Sequence, residues 1–327
     1  MKDFLPARIL GNTHLQTLGN VLIPRAIRAF PSVDRLFELP DGSILVGECS
    51  WQSGKGSVPT VLILHGLNGS TISSYVRGTA AKAYAQGFNV IRLNLRNAGQ
   101  TEKYSRTLCH AGQSDDLLQV IKELIEQDGL SKIGLIAYSF GANICLKAAA
   151  EWGEQVPKEI FGPVGVSPLV DLAATTESVD RSAPPIYRWQ LLRGRKSVIR
   201  IRSRLFPGQY DTLPLGRIKT LRQYDDIYSP KNGFKDADDY YARTSALPLL
   251  GLVALPTLLI QADDDMVVPV SSFKEIDNPN IEVIITKGGG HNGFISQSRG
   301  TDPDHHWAEN RAVEYLLNLA NPYRPSN

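Results

Sequence analysis

Cysteine and long apolar runs are both scarce in this 327-residue chain, and each shortage removes a class of protein. The three cysteines, Cys49, Cys109 and Cys145, are odd in number and far apart. They form neither a C-x-x-C pair nor a metal-ligand spacing, so no disulfide framework or zinc site is expected. They read as reduced thiols in a cytoplasmic protein. The first 25 residues lack the apolar core of a signal peptide. No uninterrupted apolar run approaches the roughly 18 residues of a membrane span. The expectation is a soluble protein that touches a membrane, if at all, from outside. A surplus of one sign of charge is missing too: the net charge of +2 gives no global argument for nucleic acid as a partner. There is no internal repeat and no low-complexity segment. What remains, 42% hydrophobic and 21% charged residues, is ordinary globular composition, long enough for one large α/β domain with an insertion.

Short runs rich in Val, Ile and Leu recur at 58–64, 88–95, 133–137, 163–167, 257–261 and 281–286. Their length and β-branching suit buried strands of a parallel sheet. Helical patterns lie between them at 74–86, 115–127 and 140–152, with a last one at 303–319. In the second, Leu117, Leu118, Ile121, Leu124 and Ile125 share a face and two acids stand in the first turn. Strands alternating with helices imply a mostly parallel central sheet with helices on both faces. Upstream, 35–40 and 44–50 flank Asp41-Gly42, a hairpin turn signal. The rhythm breaks at 171–250, a proline- and charge-rich stretch too long for a bare loop. It is expected to be a helical cap inserted into a single domain spanning 1–327.

Four motifs carry chemistry. Ala137-Tyr138-Ser139-Phe140-Gly141 sits between a predicted strand and a predicted helix. A nucleophile elbow needs that setting, because the tight turn pushes the serine oxygen out at the strand's carboxyl end. An N-cap serine would look the same in isolation. Asp263-Asp264-Asp265 follows the strand 257–261. Asp265 suits the acid position best, and the Met-Val-Val that follows supplies no oxygen ligands for a Ca²⁺ loop. Gly288-Gly289-Gly290-His291-Asn292-Gly293 follows the last strand. A neutral imidazole there can take a serine proton and return it. The chain order Ser, Asp, His is that of the α/β-hydrolase fold. Finally, His65-Gly66-Leu67-Asn68-Gly69-Ser70 follows the strand 58–64. An oxyanion needs preorganised donors, and the N–H groups of Leu67 and Phe140 are the candidates. His65 is expected to hold this loop rather than act as a second base.

With these residues in place, the chain resembles the YheT-like branch of α/β-hydrolases, along nearly its full length. The resemblance rests also on Asn12-Thr13-His14-Leu15-Gln16-Thr17-Leu18, Asn94-Leu95-Arg96-Asn97-Ala98-Gly99, His110-Ala111-Gly112, Tyr224-Asp225-Asp226 and Asp239-Tyr240-Tyr241. It implies a Ser–Asp–His hydrolase of carboxylic esters, lipid or medium-chain acyl esters among them, with Ser139, Asp265 and His291 in the three roles. Acyl transfer to an alcohol through the same residues is the enzymatic alternative, and a non-catalytic binding protein on the same scaffold the other. Ala137 and Asn97 stand where relatives tend to have glycine, and Met266 where proline often follows the acid. No metal or organic cofactor is required.

One charge run remains. Between Arg188 and Arg204 there are seven basic residues and no acid. In a helix, Arg188, Arg195 and Arg202 recur every seven residues and stack on one side, among leucines and isoleucines. This side is expected to meet an anionic lipid substrate or an anionic membrane surface.

Overall fold

The computed structural model describes residues 2–23, 25–297, 300 and 302–321. Eight strands form one sheet: β1 (Val33–Glu38), β2 (Ile44–Ser50), β3 (Thr60–Leu64), β4 (Asn89–Leu93), β5 (Ile133–Tyr138), β6 (Ile160–Val166), β7 (Thr257–Ala262) and β8 (Ile281–Thr286), in the spatial order β1-β2-β4-β3-β5-β6-β7-β8. The first two pairings, β1–β2 and β2–β4, are antiparallel, and the others are parallel. The Asp41-Gly42 turn joins β1 to β2, with Gly42 at φ +75° and the Asp41 carboxylate accepting from Ser43 N–H.

Alternation along each strand divides the core in two. In β3, Leu62 and Leu64 face one layer and Val61 and Ile63 the other. The first layer is covered by α3 (Ser114–Asp128), through Leu117, Val120, Ile121 and Leu124, and by α4 (Ser139–Trp152). The second is covered by α2 (Ser74–Ala85), through Val76, Ala80 and Ala83, and by α9 (Trp307–Ala320), through Trp307, Ala312 and Leu316. Before the sheet, α1 (Thr13–Leu22) begins at Asn12, whose side chain caps it by accepting from His14 N–H. Between β6 and β7 lie α5 (Leu172–Glu177), α6 (Pro185–Leu205), α7 (Leu221–Tyr228) and α8 (Ala237–Thr244). Among the described residues no helix is long and apolar enough to cross a membrane.

Because β3 to β8 run parallel, their carboxyl ends gather at one edge of the sheet. The segments after β3, β4, β5, β7 and β8 therefore meet there although they are far apart in sequence.

Candidate active site

Ser139 is the first residue of α4, directly after β5, and has φ +53°. A serine held in the left-handed region costs energy, so the surroundings must fix it. Gly141 shows why the turn demands a small residue: a β-carbon there would lie 2.3 Å from the His65 carbonyl oxygen. The helix thus passes at backbone contact with the chain just after β3, and the serine hydroxyl is pushed to the edge. Ala137, in the strand, is fully buried.

The Ser139 hydroxyl lies 2.9 Å from His291 Nε2, and His291 Nδ1 lies 2.9 Å from Asp265 Oδ2. An ionised carboxylate only accepts, so Nδ1 carries the proton and Nε2 is left to accept from the serine hydroxyl. The Asp265 side chain is fully buried, while His291 keeps 14% exposure. The buried carboxylate is satisfied by Val267 N–H (2.8 Å) and Val268 N–H (3.0 Å) on Oδ1, and by Gln261 Nε2 (3.3 Å) on Oδ2. The neighbouring acids do different work. Asp263 accepts from Gly288 N–H at 2.7 Å and Asp264 from Gly290 N–H at 2.9 Å. They grip the backbone of the loop whose imidazole Asp265 orients.

On the other side of Ser139 lies the 65–70 loop. A β-carbon at Gly66 would sit 3.1 Å from that of Ser139, so the Leu67 N–H is carried by a segment in contact with the serine. Phe140 is the second residue of α4, where a helix leaves its N–H groups without intrahelical acceptors and its dipole favours negative charge. His65 takes Leu95 N–H on Nε2 (3.1 Å) and donates from Nδ1 to the Gly66 carbonyl (2.8 Å), which pins the two loops together. Burial pushes this imidazole down to about 4, so it stays neutral. Asn97 has φ +61°, a conformation that glycine takes freely and asparagine tolerates. That explains how asparagine can stand in for glycine there. Its Oδ1 also accepts from Cys109 N–H at 3.0 Å.

A cavity of about 290 Å³ opens beside Phe140 and the 65–69 loop, under α6 and α7. Its walls include Leu67, Leu95, Val198, Tyr224 and the Arg195–Asp225 ion pair. Cys109 and His110 also line it. Burial raises the Cys109 thiol to about 12 and lowers the His110 imidazole to about 4, so the thiol stays protonated and the imidazole neutral.

The arginine run on α6 requires a correction. Arg202 was expected on a lipid-facing side but is fully buried, donating to the carbonyls of Glu102 (3.0 Å), Ser105 (2.8 Å) and Arg106 (3.1 Å) and to the Tyr210 hydroxyl (3.2 Å). Arg195 turns to the cavity, paired with Asp225 and stacked 4.0 Å over the Tyr224 ring. Burial opposes its charge, but Asp225 outweighs that and keeps it protonated. Arg188 is half-buried and donates to the Asp180 carbonyl. All three spend their guanidinium bonds inside the protein, because Leu192 and Ile199, on the same stripe, belong to the core. The outward face carries Ile186, Trp189, Arg193, Arg200 and Arg204 instead.

Sequence reasoning also passed over Gln261, which braces Asp265 and the Val268 carbonyl, and Ser167, whose hydroxyl accepts from Asn292 N–H at 3.1 Å. Only their positions at the ends of β7 and β6 could have marked them.

A model of the alpha/beta hydrolase fold matches residues 59–298, nearly three quarters of the chain. The chain belongs to this family. The YheT protein of Escherichia coli (strain K12), whose own esterase designation is provisional, is 29% identical over 96% of this chain and 93% of its own length. The human phospholipase ABHD3 is 26% identical over 72% of this α/β-hydrolase and 58% of its own length. Among solved structures, the Pyrococcus furiosus esterase Pf2001 has a TM-score of 0.58 at 19% identity, covering 91% of this chain and 98% of its own, a likeness of fold. The matched span begins after α1, β1 and β2.

Proposed function

We propose that this α/β-hydrolase cleaves carboxylic esters through an acyl-enzyme on Ser139. The observation that carries the reading is the unbroken relay from the Ser139 hydroxyl to His291 to the buried Asp265, each link 2.9 Å, at a helix N-terminus. In the reaction, Ser139 Oγ bonds to the ester carbonyl carbon while its proton passes to His291 Nε2. Asp265 stabilises the imidazolium and fixes its tautomer. The N–H groups of Leu67 and Phe140 receive the oxyanion. Collapse expels the alcohol, which takes the proton from His291 and leaves acyl-Ser139. Water then repeats the steps, releasing the acid and restoring Ser139.

The segment holding α5 to α8 acts as a cap, since α6 and α7 roof the cavity beside Phe140. The mainly apolar cavity suits the acyl part of a lipid or medium-chain ester, and the relatives named as esterase and phospholipase support that substrate class. Contact with an anionic membrane surface passes to the outward face of α6. There Arg193, Arg200 and Arg204 are exposed, and Ile186 and Trp189 are each more than half exposed. Exposed apolar side chains beside cations match such a surface.

The test is hydrolysis of p-nitrophenyl butyrate and octanoate. The wild type hydrolyses both esters, and Ser139→Ala keeps its fold but loses roughly 10⁴- to 10⁶-fold in kcat. A Ser139→Ala enzyme as active as the wild type contradicts the reading.

A further inference from the structure

The segment Asn12–Leu18 supplies none of the reacting groups, yet α1 lies against the loop that carries His291. The His291 N–H donates to Thr17 Oγ1 at 2.9 Å, and that hydroxyl donates onward to the Thr13 carbonyl at 2.9 Å. Thr13 Oγ1 donates to the Asp264 carbonyl at 2.8 Å. Asn20 Nδ2 donates to the Asn292 carbonyl at 2.6 Å. The Gln16 amide brackets Ile295, accepting from its N–H at 2.7 Å and donating to its carbonyl at 3.0 Å. On the histidine loop these contacts run from His291 itself to Ile295.

The glycines around His291 have a steric reason in this helix. A β-carbon at Gly290 would lie 2.5 Å from the Thr13 carbonyl oxygen, and one at Gly293 would lie 2.5 Å from that of Gln16. The loop is pressed onto the backbone of α1, while Asp263 and Asp264 hold its Gly288 and Gly290 N–H groups. It also needs holding. Asn292 and Phe294, neither of them glycine, have positive φ, +58° and +45°. Such backbone persists only where the surroundings over-determine it.

We propose that α1 is a positioning element for the base, in which Thr17, helped by Gln16 and Asn20, fixes the His291 backbone so that Nε2 points at the Ser139 hydroxyl. This rests on the reading of Ser139 and His291 given above. Thr17 touches no reacting atom and acts through His291. A misplacement of about 1 Å at such a site costs on the order of 100-fold in rate, so losing one loop bond should register in turnover before it registers in folding.

The experiment measures kcat, KM, rate of labelling by a fluorophosphonate probe and Tm in the full chain, for the wild type and for Thr17→Val, Thr17→Ser, Asn278→Ala and Ser139→Ala. Thr17→Val keeps the shape of threonine and removes the acceptor for His291 N–H. It should lower kcat about 10- to 100-fold with KM little changed, and slow labelling in step. Thr17→Ser restores the acceptor and should restore kcat. Asn278→Ala removes the bonds to the Leu250 and Val253 carbonyls ahead of β7 and the acceptor for Asn280 N–H, and should lower Tm with kcat unchanged. If Thr17→Val fails to fold, Asn20→Ala, which frees the Asn292 carbonyl, is put to the same test. A kcat for the α1 variant within about twofold of the wild type, or an equal loss in Asn278→Ala, overturns the proposal. Ser139→Ala separates the two failures. If it is inactive while Thr17→Val is normal, the brace alone is wrong. If it is active, the reading falls and the brace with it.

Discussion

Ser139, Asp265 and His291 stand on the turns that follow three separate strands, Ser139 as the first residue of α4, whereas the arginines of α6 stand on one helix, and the two regions dispose of their polar groups in opposite ways. The loops converge because the strands beneath them are parallel, so residues 126 and 26 positions apart end at one edge whatever lies between. The helix divides. Arg195 and Arg202 turn inward to Asp225 and to the carbonyls of residues 102, 105 and 106, while Arg193, Arg200 and Arg204 face out. A parallel sheet fixes which groups meet. A helical repeat fixes only which groups share a side, and the packing of that side decides whether it faces solvent or protein.

The contrast breaks most sharply at the acidic turn. Asp265→Asn should lower kcat by about 10⁴-fold, because an amide no longer selects the productive imidazole tautomer. Asp264→Asn, which weakens only the grip on Gly290 N–H, should cost about tenfold at most. Steady-state kinetics on one soluble ester compares them, and a dead Asp264→Asn beside an active Asp265→Asn would reverse the roles given to the two acids.

On α6 the effects should appear in stability and surface binding instead. Arg202→Met leaves three backbone carbonyls short of a charged donor and should destabilise the fold by about 3 kcal/mol in urea unfolding. Replacing Arg193, Arg200 and Arg204 together with Gln should change stability by only about 0.5 kcal/mol per site. It should also remove a salt-sensitive preference for vesicles containing acidic lipid while leaving soluble-ester hydrolysis intact. Equal binding of the wild type to acidic and neutral vesicles would make this outer face merely solvated.

Much of the fold was legible because its signals are local. The runs at 257–261 and 281–286 became β7 and β8 within a residue, and Asp41-Gly42 became the turn it suggested. The groups that meet at the site could be listed because each closes a strand with a recognisable turn. Two things were hidden. The way α6 faces was hidden because Leu192 and Ile199 are core residues, which turn Arg202 into the protein and bring Arg195 to the cavity wall. The helix α1 gave only a family-like motif, since its partners, Asp264 and residues 291–295, lie more than 250 positions away.

The central claim, that Ser139 is the acylated nucleophile, is tested most directly by trapping. The protein is treated with a fluorophosphonate, digested, and mapped by mass spectrometry. One adduct per chain is predicted on Ser139, abolished by prior acid denaturation and slowed by His291→Ala. An adduct on another residue, or none from an enzyme that still hydrolyses esters, would contradict it.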